Sequence, residues 1–215
     1  MPGPASYAAL SQGPGGLLVT GGLNGSGSTE HTQTYSSTGW TRGPDLPVKV
    51  MRHCQVNTGQ ADIVLGGLCA VCPITQYLLL LFTGGGISGS AISFNSARVF
   101  SLQGGRWTEL AAMSTARYSP ACVYHKNEVW AIGGNTASVE IFNLESKRWR
   151  DGPALPTSMY WGQAVVYENQ LYAIYPNGKV YLYSENAWEK VADIQSYSWR
   201  PIFPAPVVNR QILNC

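Results

Sequence analysis

The stretch ARYSPACVYHKNEVWAIGG (residues 116–134), together with IFNLESKRWRDGPALP (residues 141–156), carries the pattern from which the architecture can be inferred. Its first part alternates apolar and polar residues, turns at Lys126-Asn127 and continues as an apolar run into a double glycine. Its second part carries Phe142 and, 7 residues later, Trp149. Short apolar runs separated by turn residues predict four short antiparallel strands, named here a, b, c and d in chain order.

This unit recurs along the chain. Apolar runs end in double glycines at Gly21-Gly22, Gly66-Gly67, Gly84-Gly85 and Gly133-Gly134. Four copies place an aromatic residue 5 or 7 residues before a tryptophan, namely Tyr35 with Trp40, Phe100 with Trp107, Phe142 with Trp149, and Tyr183 with Trp188. We expect the glycines to let strand b pack near a central axis, and each aromatic pair to pack between neighbouring sheets.

The pattern resembles the kelch repeat. That family combines a double glycine after an apolar strand, a tyrosine-type aromatic, a later tryptophan, a turn with methionine or proline, and an arginine before the next strand. The resemblance implies an all-β fold, a β-propeller of four-stranded blades. It covers nearly the whole chain as one domain, with units at about residues 5–50, 51–115, 116–157 and 158–198 and a partial unit at 199–215.

The number of units predicts a partial or open ring. Kelch propellers usually close with about five to seven blades, whereas four units and one a–b hairpin are present here. A fragment or a truncated gene model explains this shortfall. The alternatives are a small ring closed by the two terminal pieces and pairing with a second chain.

One unit contains a surplus segment. The tryptophans are separated by 67, 42 and 39 residues, and two double glycines lie only 18 residues apart. Removing about Leu68 to Gly85, LCAVCPITQYLLLLFTGG, restores one normal junction. This apolar composition suggests a translated non-coding stretch or a recent insertion, and the rival hypothesis is a true extra strand or a partner-binding loop.

Composition excludes several classes of protein. The 215 residues include 24 Gly, 13 Pro and 24 aromatics, and only 12% are charged, which argues against a helical bundle, a coiled coil or a charge-rich disordered chain. A net charge of +2 gives no reason to propose a nucleic-acid partner. No membrane span or signal peptide is visible, so we expect a cytoplasmic protein whose five cysteines are buried free thiols.

The sequence offers no enzyme constellation. Only three histidines occur, and His125 is expected at a turn, His31 in a solvated loop and His53 at a unit junction. Cys69 and Cys72 form a CxxC without the second pair of ligands that zinc requires. The ligand sets of kelch-type copper oxidases and of iron-dependent specifier proteins have no counterpart here. We therefore predict a non-enzymatic protein with no cofactor and no metal.

A binding surface is the stronger expectation. The residue before each strand a is read as Ala5, Arg52, Arg117, Met159 or Arg200, with Arg52 matched through a small gap. In similar kelch proteins, arginines here line a shallow mouth that receives acidic peptides, and guanidinium groups suit carboxylates. The alternative is that each arginine merely bridges adjacent blades. Loop residues expected on the same face are Asn24, Ser88 and Asn135, flanked by Tyr118.

The resemblance implies a protein–protein interaction module that binds a protein or acidic peptide on its loop face. It could be the substrate receptor of a cullin ubiquitin ligase adaptor, a role that requires a BTB or BACK segment upstream. The alternatives are an actin-binding or scaffold protein and, less favoured, a galactose-oxidase-like or carbohydrate-active propeller enzyme. If these arginines line the binding surface, Arg117→Ala should weaken partner capture while lowering the melting temperature by no more than a few degrees.

Overall fold

The chain folds as a series of antiparallel sheets. A computed structural model describes residues 6–13, 15–70, 86–87, 91–93, 97–101 and 106–194. These residues form strands, turns and bends, and no helix occurs among them. Within this part of the chain, therefore, no helix of a length and apolarity that could cross a membrane is present.

Blades 1 and 2 each contain four principal strands and one smaller hairpin or sheet. The strands of the first region are β1 (Ala9–Gly13), β2 (Gly16–Thr20), β3 (Leu23–Asn24), β4 (Gly27–Ser28), β5 (Thr32–Ser36) and β6 (Gly39–Arg42). Those of the second are β7 (Cys54–Asn57), β8 (Ala61–Leu65), β9 (Leu68–Ala70), β10 (Gly86–Ile87), β11 (Ala91–Ser93), β12 (Ala97–Ser101) and β13 (Arg106–Glu109). Blade 1 has the order β1-β2-β5-β6 and blade 2 the order β7-β8-β12-β13.

Blades 3 and 4 are plain four-stranded meanders. Blade 3 consists of β14 (Ala121–His125), β15 (Glu128–Ile132), β16 (Val139–Asn143) and β17 (Arg148–Gly152). Blade 4 consists of β18 (Gln163–Tyr167), β19 (Gln170–Ile174), β20 (Lys179–Ser184) and β21 (Ala187–Asp193). The expectation of an all-β fold of four-stranded blades is confirmed, and the described residues form no closed ring.

The first residues of the surplus segment in blade 2 belong to a small sheet. The first three residues of the segment form β9, which pairs with β11, and β11 in turn pairs with β10. These three strands make a small sheet between strands b and c of blade 2. The remainder, residues 71–85, lies outside the described residues.

Strand a lies innermost in every blade. The strands β1, β7, β14 and β18 form one edge of their sheets, and successive members of this set pack against each other. This corrects the expectation that strand b packs near the axis. The double glycine instead serves close approach between blades, because a Cβ on Gly66 (φ +62°) would lie 2.7 Å from the carbonyl oxygen of Arg117.

The three double glycines that follow strand b in the described part of the chain are hydrogen-bonded to the segment that leads into the next blade. The second glycine donates its N–H to a carbonyl oxygen there, as seen for Gly22 to Val50, Gly67 to Arg117 and Gly134 to Met159, at 2.7–2.8 Å. The glycines therefore connect consecutive blades at the end where strand a begins.

The repeated tryptophans make a second connection between blades. In blades 2, 3 and 4 the indole Nε1–H donates to a carbonyl oxygen in the segment that leaves the preceding blade, namely Trp107 to Pro44, Trp149 to Ala111 and Trp188 to Pro153. Within a blade, the paired rings are in contact, with centroids 5.1 Å apart for Phe142 and Trp149 and 5.5 Å for Tyr183 and Trp188. The hydrophobic cores accordingly lie between sheets, and one of them combines Ile63 and Leu65 of blade 2 with the buried Phe142.

The cysteines depart from the free-thiol expectation. Cys54 of β7 and Cys122 of β14 are joined by a disulfide, and Cys69 is also disulfide-bonded. The bond forms because the innermost strands of blades 2 and 3 lie side by side. The two cysteines are 68 positions apart in the sequence, so the sequence gives no sign that they meet.

Candidate functional site

Each blade opens with one residue in the left-handed backbone conformation. These residues are Tyr7 (φ 58°), Arg52 (φ 54°), Ser119 (φ 52°) and Trp161 (φ 53°), each two residues before the start of strand a. The backbones of the first three are connected, since the amide of Arg52 donates to the carbonyl of Tyr7, and that of Ser119 to the carbonyl of Arg52. We name the surface formed by Tyr7, Arg52, Tyr118, Tyr160 and Trp161 the mouth.

Arg52 is the cation of the mouth. Its Cζ atom lies 4.6 Å from the ring centroid of Tyr7 and 5.6 Å from that of Trp161. These two rings are 45% and 50% exposed, and the arginine itself is half-buried. Among the described residues, no carboxylate pairs with Arg52, and its buried Nε has no hydrogen-bond partner there. Cation–π contacts hold the guanidinium in place but leave its charge unpaired.

Two more tyrosines continue the mouth. The rings of Tyr118 and Tyr160 have centroids 6.2 Å apart, and Tyr160 is 44% exposed. The predicted loop residue Asn135 supports this part, because its Oδ1 accepts a hydrogen bond from the backbone amide of Tyr118 at 3.3 Å. The structure thus brings Arg52, Tyr118 and Asn135 to the end of the blades where strand a begins.

Arg117 has a different environment. Its side chain is fully buried and its guanidinium donates to the carbonyl oxygens of Gly133 and Ser138, to Ser138 Oγ and to Glu140 Oε1. A side chain with no exposed surface cannot contact a partner. Arg117 therefore lies away from the exposed surface: its side-chain acceptors all belong to blade 3, and only its backbone carbonyl reaches blade 2, accepting from Gly67.

Glu140 completes this internal ion pair. Its carboxylate accepts hydrogen bonds from the backbone amides of Ser114 and Thr115 at 2.6 and 3.0 Å, in the segment that joins blades 2 and 3. Burial alone would raise the pKa of Glu140, but the Ser114 amide and the Arg117 guanidinium outweigh it, so the pKa lies below its usual value. The pair therefore stays ionised and holds the linking segment against strand c.

The misassignment of Arg117 has a structural cause. The carbonyl that receives the second glycine belongs to Val50, Arg117 and Met159 in successive blades, so Val50 rather than Arg52 is the counterpart of Arg117. Arg52 is instead the counterpart of Ser119 and Trp161, which share its left-handed backbone. The small gap in the sequence match hid this difference of two residues.

The other predicted site residues are dispersed or lie outside the described part of the chain. Asn24 is exposed and its Oδ1 accepts a hydrogen bond from the amide of Ser26 in the turn between β3 and β4. Arg200 and Ser88 are outside the described residues. Tyr160 and Trp161, which were not among the predicted site residues, are exposed at the mouth.

His53, immediately after Arg52, belongs to a buried polar network between blades 1 and 2. Its Nε2 lies 2.8 Å from Thr20 Oγ1, which also donates to Gln55 Oε1. Because that hydroxyl proton is used on Gln55, Nε2 of His53 must carry the ring proton, and the buried Nδ1 has no partner among the described residues. Burial lowers the pKa of His53 from 6.5 to about 4, opposed only in part by a hydrogen bond with the backbone of Thr20.

This burial predicts a pH-dependent stability. His53 takes up a proton near pH 6.5 in the unfolded chain and only near pH 4 in the folded chain. The stability that depends on a neutral His53 is therefore fully present above pH 6.5 and is lost as the pH falls towards 4. We expect His53 to account for a loss of about 1.4 kcal/mol at about pH 5.5 and about 2.5 kcal/mol at about pH 4.5.

Urea unfolding across that range checks this expectation. The wild-type slope with pH should exceed that of His53→Gln, whereas His31→Gln, which changes an exposed histidine, should leave the slope intact. Equal slopes for the wild type and His53→Gln would contradict the assignment.

One other cluster of potential ligands occurs in the described part of the chain. Glu30, His31 and Asp45 present ligand atoms within 4.8 Å of one another. The guanidinium of Arg42 already occupies this cluster, donating to Asp45 Oδ2 at 2.7 Å and lying 3.0 Å from His31 Nδ1. The arrangement is that of an exposed ion-pair cluster, and it carries no argument for a metal.

Separate four-stranded blades packed around their innermost strands, with a cationic aromatic mouth at one end, define the class of a propeller-type binding module. Comparison with protein families matches residues 116–156 to the Kelch motif. The resemblance stated from the sequence is therefore confirmed: this segment, blade 3 with its entry, is a kelch repeat in a partial all-β propeller. No curated protein matches the chain. Kelch repeats generally form protein-interaction modules without enzymatic activity.

Proposed function

We propose that the mouth binds an acidic segment of a protein partner, with Arg52 as the anchoring cation. The single observation that carries this proposal is the unpaired guanidinium of Arg52 between the exposed rings of Tyr7 and Trp161. A carboxylate placed there gains charge-assisted hydrogen bonds from a planar donor that needs little further ordering.

We also propose that the four complete units and the partial unit belong to a single kelch propeller domain.

The aromatic residues support a peptide rather than an isolated anion. Tyr7, Tyr160 and Trp161 expose broad ring surfaces beside the cation. Tyrosine and tryptophan contribute large contact areas with few rotatable bonds, so they bind extended chains at a small cost in conformational entropy. An acidic side chain at Arg52, with its neighbours lying on the rings, uses both features of the mouth.

Binding of a labelled tetra-glutamate peptide tests this proposal. We expect saturable binding by fluorescence anisotropy, weakening with added salt, and no binding of the matched tetra-glutamine peptide. Arg52→Ala should weaken binding at least about tenfold, since a hydrogen bond to a charged group contributes about 1.5–3 kcal/mol.

Arg148→Ala is the matched control, because it removes the same charge from an exposed position on β17. Its affinity should stay within about twofold of the wild type. Equal losses of affinity in the Arg52 and Arg148 variants would show that binding depends only on net charge, which would contradict a specific site.

A more specific cellular role follows from the kelch resemblance. We propose a substrate receptor of a cullin ubiquitin ligase adaptor, located in the cytoplasm. Co-purification of the full-length protein with a cullin supports this role, and co-sedimentation with actin filaments without cullin would replace it with an actin-binding role. Either result leaves the acidic-peptide site open to its own test.

A further inference from the structure

The innermost strands of blades 2 and 3 carry cysteines at facing positions. Cys54 begins β7, Cys122 is the second residue of β14, and their Cα atoms lie 5.8 Å apart across a disulfide. This separation falls within the range of about 4.4–6.8 Å that disulfides span. The cross-link therefore joins two consecutive blades at the centre of the fold.

No other described junction between blades has cysteines at these positions. In blade 2, the cysteine lies two positions after the left-handed residue that opens the blade. In blade 3, it lies three positions after that residue. The corresponding pairs are Ala9 with Gln55 between blades 1 and 2, and Ala121 with Ala164 between blades 3 and 4. The disulfide is thus a property of this junction and not of the repeat.

The cross-link lies directly below the mouth. The amide of Ser119 donates to the carbonyl of Arg52 at 2.6 Å, and Cys54 and Cys122 follow these two residues along their strands. A covalent bond between the two segments restricts their relative movement and so protects the hydrogen bond above it.

We propose that Cys54 and Cys122 form a reversible disulfide that sets the mobility of the mouth where blades 2 and 3 meet. In a reducing compartment such as the proposed cytoplasm, the disulfides that do form are usually transient and redox-sensing rather than permanent. The difference in burial favours Cys122 as the first of the two to react, since Cys122 is half-buried, whereas Cys54 is 8% exposed.

The exchange can be written with a low-molecular-weight disulfide, oxidised glutathione, as the oxidant. The Cys122 thiol loses its proton, and its thiolate attacks one glutathione sulfur, forming a mixed disulfide and releasing one glutathione thiolate. The Cys54 thiolate then attacks the Cys122 sulfur and displaces the second glutathione. Two electrons pass from the cysteine pair to glutathione, whose two thiolates take up the two protons.

Amide hydrogen exchange of the full chain tests the proposal. The protein is equilibrated with oxidised glutathione or with dithiothreitol, and the exchange of individual amides is followed by NMR. We expect the Ser119 amide to exchange at least about tenfold faster after reduction. The Arg52 amide, which donates to Tyr7 across a junction without cysteines, is the internal reference and should stay within about twofold.

The double variant Cys54→Ala/Cys122→Ala separates the disulfide from other effects of the reductant. Alanine occupies three of the four corresponding positions at the other junctions, so it suits the packing there. This variant should show the fast Ser119 exchange under both conditions. Peptide mapping of the oxidised wild type should recover the Cys54–Cys122 pair.

Three results would overturn the proposal. These are failure to recover the pair, unchanged Ser119 exchange on reduction of the wild type, and equal acceleration of the Arg52 and Ser119 amides. The wild-type comparison remains decisive if the double variant does not fold. Because no ligand is added, failure here leaves the acidic-peptide proposal intact.

Discussion

Replacing Arg117 with alanine is expected to lower the free energy of unfolding by about 3–5 kcal/mol, because it breaks a buried ion pair on one side only. The variant leaves the carboxylate of Glu140, 2% exposed, without its cation, and it removes the donors to Gly133 and Ser138. Urea unfolding followed by tryptophan fluorescence measures the loss.

Arg150→Ala is the matched control for this prediction. Arg150 also pairs with a glutamate, Glu128, but its side chain is 53% exposed. Exposed ion pairs contribute about 0–1 kcal/mol, so this variant should unfold almost as the wild type does. If both variants lost less than about 1 kcal/mol, the internal role assigned to Arg117 would be wrong.

Phe142→Ala is expected to cost about 3–5 kcal/mol, comparable to the loss at Arg117. Phe142 is fully buried between blades 2 and 3, where it contacts Trp149 and shares a core with Ile63 and Leu65. Truncation leaves a cavity that both sheets line, and neither sheet can close it without moving the other.

The corresponding residue of blade 1 provides the control. Tyr35 also contacts its blade's tryptophan, at 5.1 Å between centroids, but it is 45% exposed. Tyr35→Ala should therefore lose less than about half as much as Phe142→Ala. Similar losses at the two positions would mean that the ring pair within a blade, and not burial between blades, provides the stability.

The periodic residues made the fold predictable. Double glycines such as Gly133-Gly134 recur at the end of strand b in blades 1, 2 and 3, and the aromatic-to-tryptophan spacing recurs with a ring contact described in blades 1, 3 and 4, so local sequence carries both features. The turn at Lys126-Asn127 was also predictable, and both residues have positive φ there. Which strand lies innermost was not, since strands a and b have similar apolar patterns.

The site was predictable only in part. Arg52 and Arg117 look alike in sequence, yet one is the counterpart of Trp161 and the other of Met159, and only the inter-blade hydrogen bonds reveal this. The partner of a buried arginine, here Glu140, lies two strands away, and no local pattern points to it. The Cys54–Cys122 bond likewise depends on the packing of two blades.

Chemical-shift mapping with the tetra-glutamate peptide tests most directly whether the mouth is the binding surface. We expect saturable shifts of backbone amides at Tyr7, Arg52, Tyr118 and Trp161, with the a–b turns at the far end of strand a, such as Lys126-Asn127, unchanged. Shifts concentrated at those turns, with the Arg52 amide unmoved at saturation, would contradict it.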